Sequence, residues 1–316
     1  MESNQEKQVK IVYIGGAGRS GSTLLDRLLG QVDGFFSVGE LKHFGGGKES
    51  PEDLLSGCGK PLNKCDFWCS VIEEVFGEQS TGGMSRLRAL QYHTDRGRYT
   101  PLAAWKSLRS ARYKKEFDEY VRVLCGIYRA IHKVSGCGVI VDSSSSPVHG
   151  LILNQVGGID LRVVHLVRDS RAVVYSWQRK KIRPEVLGKV EYLVRPNPVR
   201  AALEWDFNNV FVHLLRRRNR QSLLVRYEEL VADPRASLLR ILTGLDETSC
   251  SIESFLDDHA ADLKANHMVF GNPSRFEQGK TPLRLDLEWQ HKMPAYQKVM
   301  AVALTFPLMR HYGYLR

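Results

Sequence analysis

The sequence IVYIGGAGRSGST, residues 11–23, joins an apolar run to a glycine-rich turn and the predicted start of a helix. Its spacing matches the phosphate-binding pattern GxxxxGK[ST] at Gly16, Gly21 and Thr23, but Ser22 stands at the lysine position. In nucleoside triphosphatases that lysine reaches the β- and γ-phosphates, and the following Ser or Thr holds Mg²⁺. The loop therefore retains a cradle for a tetrahedral anion but lacks the cation that handles a triphosphate.

Side chains of the same loop add to the predicted anion site. Backbone N–H groups from Gly18 to Thr23 point to a bound anion, and Arg19 adds positive charge. The hydroxyl groups of Ser20, Ser22 and Thr23 add hydrogen-bond donors. A tight strand-to-helix connection without a ligand is the alternative interpretation. We expect a phosphate-like group that needs no lysine.

A second motif lies at the end of another apolar run, residues 161–167. Arg168 follows this predicted strand, and a helical pattern begins after Asp169, a predicted N-cap. Ser176 comes eight residues after Arg168, two turns into that helix. Open α/β sheets bind ligands at this edge, so Arg168 and Ser176 are candidate ligand-binding residues. A surface ion pair within the RDSR sequence is the alternative.

The RSGST loop and the strand-Arg-helix-Ser arrangement resemble those of sulfotransferases that use 3′-phosphoadenosine-5′-phosphosulfate, in particular the carbohydrate and tyrosylprotein branches. The resemblance implies that the loop binds the 5′-phosphosulfate and that Arg168 and Ser176 bind the 3′-phosphate. It also implies that Tyr227, in VRYEEL, faces the adenine nucleotide. An ordinary half-buried tyrosine is the alternative interpretation of Tyr227.

The segment HMVFGNPSRFEQGK, residues 267–280, resembles the part of the family that closes over the nucleotide. Its polar candidates are Asn272, Ser274, Arg275 and Lys280. The Gly-Asn-Pro sequence predicts a loop, and a solvated basic surface loop is the alternative interpretation.

Sulfuryl transfer also needs a base for the acceptor hydroxyl. Glu40 follows the predicted second strand in FFSVGEL, so it should lie on the same sheet edge as the glycine-rich loop. The resemblance to the tyrosylprotein branch implies that Glu40 is the general base. From its place in the glycine-rich loop, Arg19 is the natural cation at the bridging oxygen. A solvated carboxylate is the alternative for Glu40. His43, His149 and His165 are rival bases, and His165 lies in an apolar strand typical of a structural histidine.

The sequence departs from the family pattern in VDSSSSP, residues 141–147. Relatives often have a lysine two residues before the proline, near the sulfuryl group, whereas this chain has Ser145. Ser145 could contact the same oxygens, or Lys180 or Lys280 could supply the charge. All three alternatives stay open at this point.

The fold prediction rests on apolar runs that alternate with helical patterns. The predicted strands are at about 10–15, 35–38, 138–142, 161–167 and 222–226. This alternation predicts an α/β fold, a P-loop-like doubly wound parallel sheet of about five strands flanked by helices. A mostly helical insertion, about 43–137, contains a long helical pattern at 111–135. We expect a disordered tail at 1–8, a single domain at 9–316, and acceptor selection by the insertion and by residues 182–210.

Composition favours an anionic ligand. The chain has 45 Lys and Arg against 35 Asp and Glu, a net charge of +10. The dense run RRRNR, residues 216–220, ends a helical stretch without any nucleic-acid-binding signature, so we expect no nucleic-acid partner. The polar start MESNQEKQVK does not resemble a secretory signal, and no run approaches 18 apolar residues. We therefore expect a cytoplasmic protein without a membrane span.

Three of the six cysteines cluster in GCGKPLNKCDFWC: Cys58, Cys65 and Cys69. They could be ligands of a metal site completed by His43 or His93. Their spacing is not C-x-x-C, so the sequence favours ordinary reduced thiols in a packed insertion.

Together these patterns predict a sulfotransferase that moves a sulfuryl group in line from 3′-phosphoadenosine-5′-phosphosulfate to a hydroxyl of a small-molecule or glycan acceptor, with no metal required. A P-loop kinase that uses ATP and Mg²⁺ and a non-enzymatic nucleotide- or nucleic-acid-binding protein are the alternatives. The missing loop lysine disfavours the kinase, and Glu40 at the presumed active edge disfavours a passive binder.

Overall fold

The computed structural model describes residues 8–46, 54–180, 182 and 192–315. Five parallel strands form the central sheet in the order β2-β3-β1-β4-β5. They are β1 Val9–Gly15, β2 Phe35–Gly39, β3 Val139–Ser145, β4 Ile159–Val167 and β5 Ser222–Arg226. The predicted fold class is confirmed.

Helices cover both faces of the sheet. They are α1 Ser22–Leu29, α2 Asp66–Phe76, α3 Ser80–Thr94, α4 Thr100–Ala104, α5 Ala111–Ser135, α6 Pro147–Leu153, α7 Ser170–Gln178, α8 Pro198–Arg218, α9 Tyr227–Ala232, α10 Pro234–Gly244, α11 Glu288–Lys292 and α12 Ala295–His311. A small antiparallel pair, β6 Ala260–Leu263 and β7 Gly279–Pro282, lies outside the main sheet.

The core has two halves because alternate side chains of a strand point to opposite faces of the sheet. On β1, Ile11 and Tyr13 pack with α2, α5 and α6, whereas Val12 and Ile14 pack with α1 and α10. All four side chains are fully buried, as expected for a parallel sheet covered on both faces.

The predicted helical pattern at 111–135 is α5. In chain order, α2, α3, α4 and α5 all come between β2 and β3. The Ser110 hydroxyl accepts a hydrogen bond from the Tyr113 N–H and caps its start, and Gly136, with φ of 66°, ends it. Its buried side chains include Phe117, Tyr120 and Leu124, at helical spacing.

Two predicted segments fall largely outside the described residues. They are the tail at 1–8, of which only residue 8 is described, and the part of 182–210 that spans 183–191. Among the helices of the described residues, none is both long and apolar enough to cross a membrane.

Candidate active site

The glycine-rich loop joins β1 to α1 at the carboxyl edge of the sheet. Gly16 has a φ of 148°, and a Cβ there would lie 2.1 Å from the carbonyl oxygen of Leu166. Gly21 has a φ of 96°, and a Cβ there would lie 2.5 Å from the Tyr227 ring. Both positions therefore require glycine. Because α1 begins at Ser22, its first backbone N–H groups lie in this loop.

Arg19 adopts a left-handed backbone with a φ of 70°, which non-glycine residues rarely do. Its guanidinium lies 4.7 Å from the centre of the Trp177 ring. Such backbone strain clusters at ligand sites, where the surrounding structure enforces it. Ser20 behaves differently: its N–H donates to the Ala17 carbonyl at 3.3 Å and its side chain is buried, so Ser20 belongs to the turn itself.

A cavity of about 660 Å³ lies over this loop. It brings together most of the site residues predicted from the sequence. These are Gly18, Arg19, Gly21, Ser22, Thr23, Glu40, Ser145, Arg168, Ser176, Tyr227, Asn272 and Ser274. They meet because parallel strands end at one edge, where the loops after β1, β2, β3 and β4 converge.

A second cleft, of about 890 Å³, lies between α8 and α12. Its walls are mostly apolar and include Leu203, Phe207 and Met300. The glycine-rich loop lines the smaller cavity together with Glu40 and Arg168, so the candidate active site is there.

Arg168 is held rigidly at the end of β4. Its side chain is buried, and its guanidinium lies 4.4 Å from the centre of the Tyr227 ring and donates a hydrogen bond to the Arg19 carbonyl at 3.2 Å. An ion pair to Asp286 spans 3.6 Å, and Asp286 also pairs with Arg179 at 3.0 Å. Asp286 thus stands where an anionic ligand of Arg168 would bind.

Glu40 lies directly after β2, as predicted. Its carboxylate is 3.5 Å from His43 Nε2, and the His43 ring packs on Phe270 at 4.4 Å between centres. The next residue but one, Lys42, also lines the cavity, and its N–H donates to the Ser144 hydroxyl at 3.1 Å. Three titratable residues of one short segment, Glu40, Lys42 and His43, therefore line the cavity.

No protein-family model matches the sequence, and neither does any curated protein. Among solved structures, the sulfotransferase domain from the Synechococcus PCC 7002 olefin synthase is 21% identical with a TM-score of 0.55, over 98% of this chain and 97% of that chain. The sulfotransferase domain from the curacin biosynthetic pathway is 19% identical with a TM-score of 0.51, over 95% of this chain and 97% of that chain. This chain has the sulfotransferase fold.

Within this sulfotransferase fold, the position where a lysine was expected is unusual. Ser145 has a left-handed φ of 55°, and its hydroxyl donates to the Ser143 carbonyl at 3.0 Å. Lys280 lies on β7, is largely exposed and pairs with Asp257 at 2.7 Å, outside the cavity. Lys180 lies over the Tyr192 ring at 4.1 Å. Sequence reasoning missed Lys42, whose only signal was its place two residues after Glu40.

Residues 267–276, the roof segment, cover one side of the cavity. The Asn272 N–H donates to the Thr23 hydroxyl at 3.0 Å, and Arg27 donates to the Ser274 carbonyl at 2.7 Å. Arg275 is fully buried and donates to the Leu55 carbonyl at 3.1 Å. Arg275 therefore fastens the roof segment to the protein instead of facing the cavity, unlike Asn272 and Ser274.

Two of the rival bases are buried away from the cavity. His149 Nδ1 contacts Asp95 at 2.5 Å and Nε2 lies 3.3 Å from Asp142. Burial by itself lowers the pKa of His149, but these two carboxylates outweigh it and raise the pKa to about 9. Burial lowers the pKa of His165 to about 3, and His165 pairs with Asn209 at 2.9 Å. Both histidines are structural, as the sequence suggested for His165.

Asp26, on α1 below the loop, is a buried carboxyl that sequence reasoning did not identify. Burial raises the pKa of Asp26 to about 7, although hydrogen bonds from the Ser143 and Ser37 hydroxyls oppose the shift. These contacts fasten α1 to β2 and β3 and so fix the loop that precedes α1.

Proposed function

We propose that this protein transfers a sulfuryl group from 3′-phosphoadenosine-5′-phosphosulfate to an acceptor hydroxyl. One observation carries the proposal: a phosphate-type loop without its lysine, the Arg168 and Ser176 pair, and Glu40 all line a single cavity. The sulfotransferase fold supports it.

The residues of the cavity fit such a donor. The N–H groups at the start of α1 and the loop of Gly18–Thr23 suit the 5′-phosphosulfate, and Arg168 with Ser176 suits the 3′-phosphate. The aromatic rings of Trp177 and Tyr227 offer flat surfaces for the adenine ring of the donor. The donor, once bound, supplies the sulfuryl group and leaves as adenosine 3′,5′-bisphosphate.

Glu40 is the proposed general base. It takes the proton of the acceptor hydroxyl as that oxygen bonds to sulfur and the bond from sulfur to the phosphate oxygen breaks. Arg19 and Lys42 bring positive charge to the same cavity, where charge develops on the departing oxygen. Lys42 is therefore the candidate for the charge that Ser145 cannot carry.

The acceptor is proposed to be a small molecule or a glycan with a free hydroxyl. Gly97 of the inserted region, Leu193 before α8 and Asn208 within α8 also line the cavity. Their positions agree with acceptor selection by the insertion and by residues 182–210.

The test is a transfer assay with labelled donor and a panel of phenols, sugars and aliphatic alcohols. The release of adenosine 3′,5′-bisphosphate is the measured quantity. We expect faster release with at least one acceptor class and calorimetric binding of adenosine 3′,5′-bisphosphate. Tight binding of ATP with Mg²⁺, together with phosphate transfer to an acceptor, would replace this proposal with a kinase.

A further inference from the structure

Two thiols and one imidazole meet outside the candidate active site. Cys58 Sγ lies 3.6 Å from Cys65 Sγ, which lies 3.3 Å from His267 Nδ1. All three atoms are within 4.8 Å of one another. In tetrahedral zinc sites, Zn–S bonds of about 2.3 Å and Zn–N bonds of about 2.0 Å place neighbouring ligand atoms roughly 3.5–3.8 Å apart. The 3.6 Å spacing of the two sulfur atoms falls within this range, and the 3.3 Å spacing of Cys65 Sγ and His267 Nδ1 lies just below it.

A tight turn presents Cys58. The Ser56 N–H donates to the Lys60 carbonyl at 2.9 Å, and Gly59 has a left-handed φ of 82°. Gly57, the residue before Cys58, has no room for a side chain, because a Cβ there would lie 1.8 Å from the Asn266 Oδ1. The turn is therefore shaped to bring Cys58 against the chain around His267.

Cys65 and His267 are fixed by their surroundings. Cys65 is the N-cap of α2, and its side chain is fully buried. The Trp68 indole donates to the His267 carbonyl at 2.7 Å, and the Phe67 ring stacks on the imidazole at 5.1 Å between centres. Cys58 and His267 are only partly buried, so one side of the group is open to water.

We propose that Cys58, Cys65 and His267 bind one zinc ion, with water in the fourth position. The two thiols release their protons to solvent, and the resulting thiolates balance the charge of the ion while neutral His267 donates a lone pair. Zn²⁺ is a borderline-soft ion that prefers sulfur and nitrogen ligands, so this ligand set suits it.

The ligands differ from those considered from the sequence. Cys69 is exposed and lies outside the group, His43 lines the cavity, and His93 pairs with Glu116 at 3.4 Å. His267 was not considered as a ligand, because it lies 202 residues from Cys65 in the chain.

The proposed ion would join the inserted region to the roof segment. Cys58 and Cys65 precede and begin α2, whereas His267 begins the roof segment that carries Phe270 and Asn272 along the cavity. A hydrogen bond already joins the same two segments, because the Gly57 N–H donates to the Met268 carbonyl at 2.9 Å. The ion would therefore hold one wall of the cavity in place.

The first test measures zinc in the purified protein by mass spectrometry of the metal after gel filtration. We expect about one zinc ion per chain, lost in Cys58→Ser and in His267→Ala. Cys69→Ser, the matched control in the same segment, should keep its zinc. Loss of zinc in Cys69→Ser to the same extent, or a metal-free wild-type protein after growth in zinc, would overturn the assignment.

The second test needs no variant and so does not depend on variants that fold. Wild-type protein loaded with Co²⁺ should show the absorption of cobalt–thiolate charge transfer, which disappears when zinc is added. Absence of that absorption would refute the proposal. So would a disulfide between Cys58 and Cys65, seen as an intact mass lower by two hydrogens in non-reducing conditions.

Discussion

Arg168 offers a test of donor recognition, since a 3′-phosphate distinguishes the proposed donor from ATP. Arg168→Ala should weaken the binding of adenosine 3′,5′-bisphosphate by about 2 kcal/mol or more, because a charge-assisted hydrogen bond is lost. Calorimetry with adenosine 5′-phosphate is the control, and its affinity should hardly change. Equal losses of affinity for both ligands would contradict the assignment of Arg168 to the 3′-phosphate.

For Asp286 we expect the opposite effect on nucleotide binding. Its carboxylate pairs with Arg168 and would repel a phosphate bound there. Asp286→Asn should therefore tighten adenosine 3′,5′-bisphosphate by about 1 kcal/mol, the size expected for one partly exposed charge pair. Glu288→Gln is the matched control, because Glu288 pairs with Arg179 at 3.3 Å and not with Arg168. Weaker binding by Asp286→Asn would show that Asp286 positions Arg168 instead of competing with the ligand.

Glu40→Gln tests the proposed general base. Glutamine keeps the size and hydrogen bonding of glutamate but cannot take a proton. Because a positioned base contributes on the order of 10²- to 10⁴-fold, kcat should fall by about that factor. Single-turnover kinetics with saturating donor and the fastest acceptor of the panel measure the effect.

The affinity of Glu40→Gln for adenosine 3′,5′-bisphosphate is the control and should stay near that of the wild type. A structural glutamate would instead lower nucleotide affinity or the melting temperature. Near-normal chemistry in the variant would transfer the role to His43, which lies 3.5 Å from Glu40.

The contacts of His149 join β3, α5 and α6 to the end of α3. Tyr120 on α5 donates to Asp95 at 2.8 Å, and Tyr128 on α5 donates to Asp142 on β3. His149→Gln removes the positive partner of two buried carboxylates, so it should lower the free energy of unfolding by about 3–5 kcal/mol near neutral pH.

The loss should depend on pH with a defined sign. Because the folded-state pKa of His149 is raised to about 9, its stabilising contribution is complete below its unfolded pKa of about 6.5 and disappears as the pH rises through about 9. Urea unfolding at about pH 6 and about pH 10 should show a shrinking difference between wild type and His149→Gln. His165→Gln is the control, since His165 is neutral throughout that range. A difference that stays constant with pH would contradict the charged state of His149.

The proposed sulfuryl transfer should not require Mg²⁺. A sulfuryl group carries less charge than a γ-phosphoryl group, and Ser22 replaces the lysine that accompanies Mg²⁺ chemistry in phosphate-binding loops. Activity should therefore be equal with and without added Mg²⁺. If EDTA inactivates the enzyme, the ion that restores activity decides the cause: Zn²⁺ indicates the Cys58, Cys65 and His267 site, and Mg²⁺ would support a kinase.

The sheet was predictable from the sequence because buried parallel strands appear as short apolar runs. The run at 161–167 lies within β4, and the pattern at 111–135 is α5. The β6–β7 pair was not predicted, since its strands have four residues each and β7 contains both glycine and proline. Short edge elements depend on tertiary contacts more than on local pattern.

The convergence of Arg19, Glu40 and Arg168 was predictable because parallel strands end at one edge. The positions of Asp286 and His267 were not predictable, since each lies in an irregular segment and not at the end of a strand of the parallel sheet. Lys280 illustrates the reverse case. It belongs to a segment that resembles the family's, yet its side chain pairs with Asp257 away from the cavity.

The central place of β1 in the sheet has a consequence for synthesis on the ribosome. Lys10 of β1 pairs with Val139 on one side, and Val9 pairs with Ile159 on the other. At about 5–20 residues per second, β1 waits for seconds before both neighbours exist. Its apolar surface is exposed during that interval, and pairings this distant in sequence slow folding. The pairing of β1 on both sides can therefore be completed only after β4 has emerged.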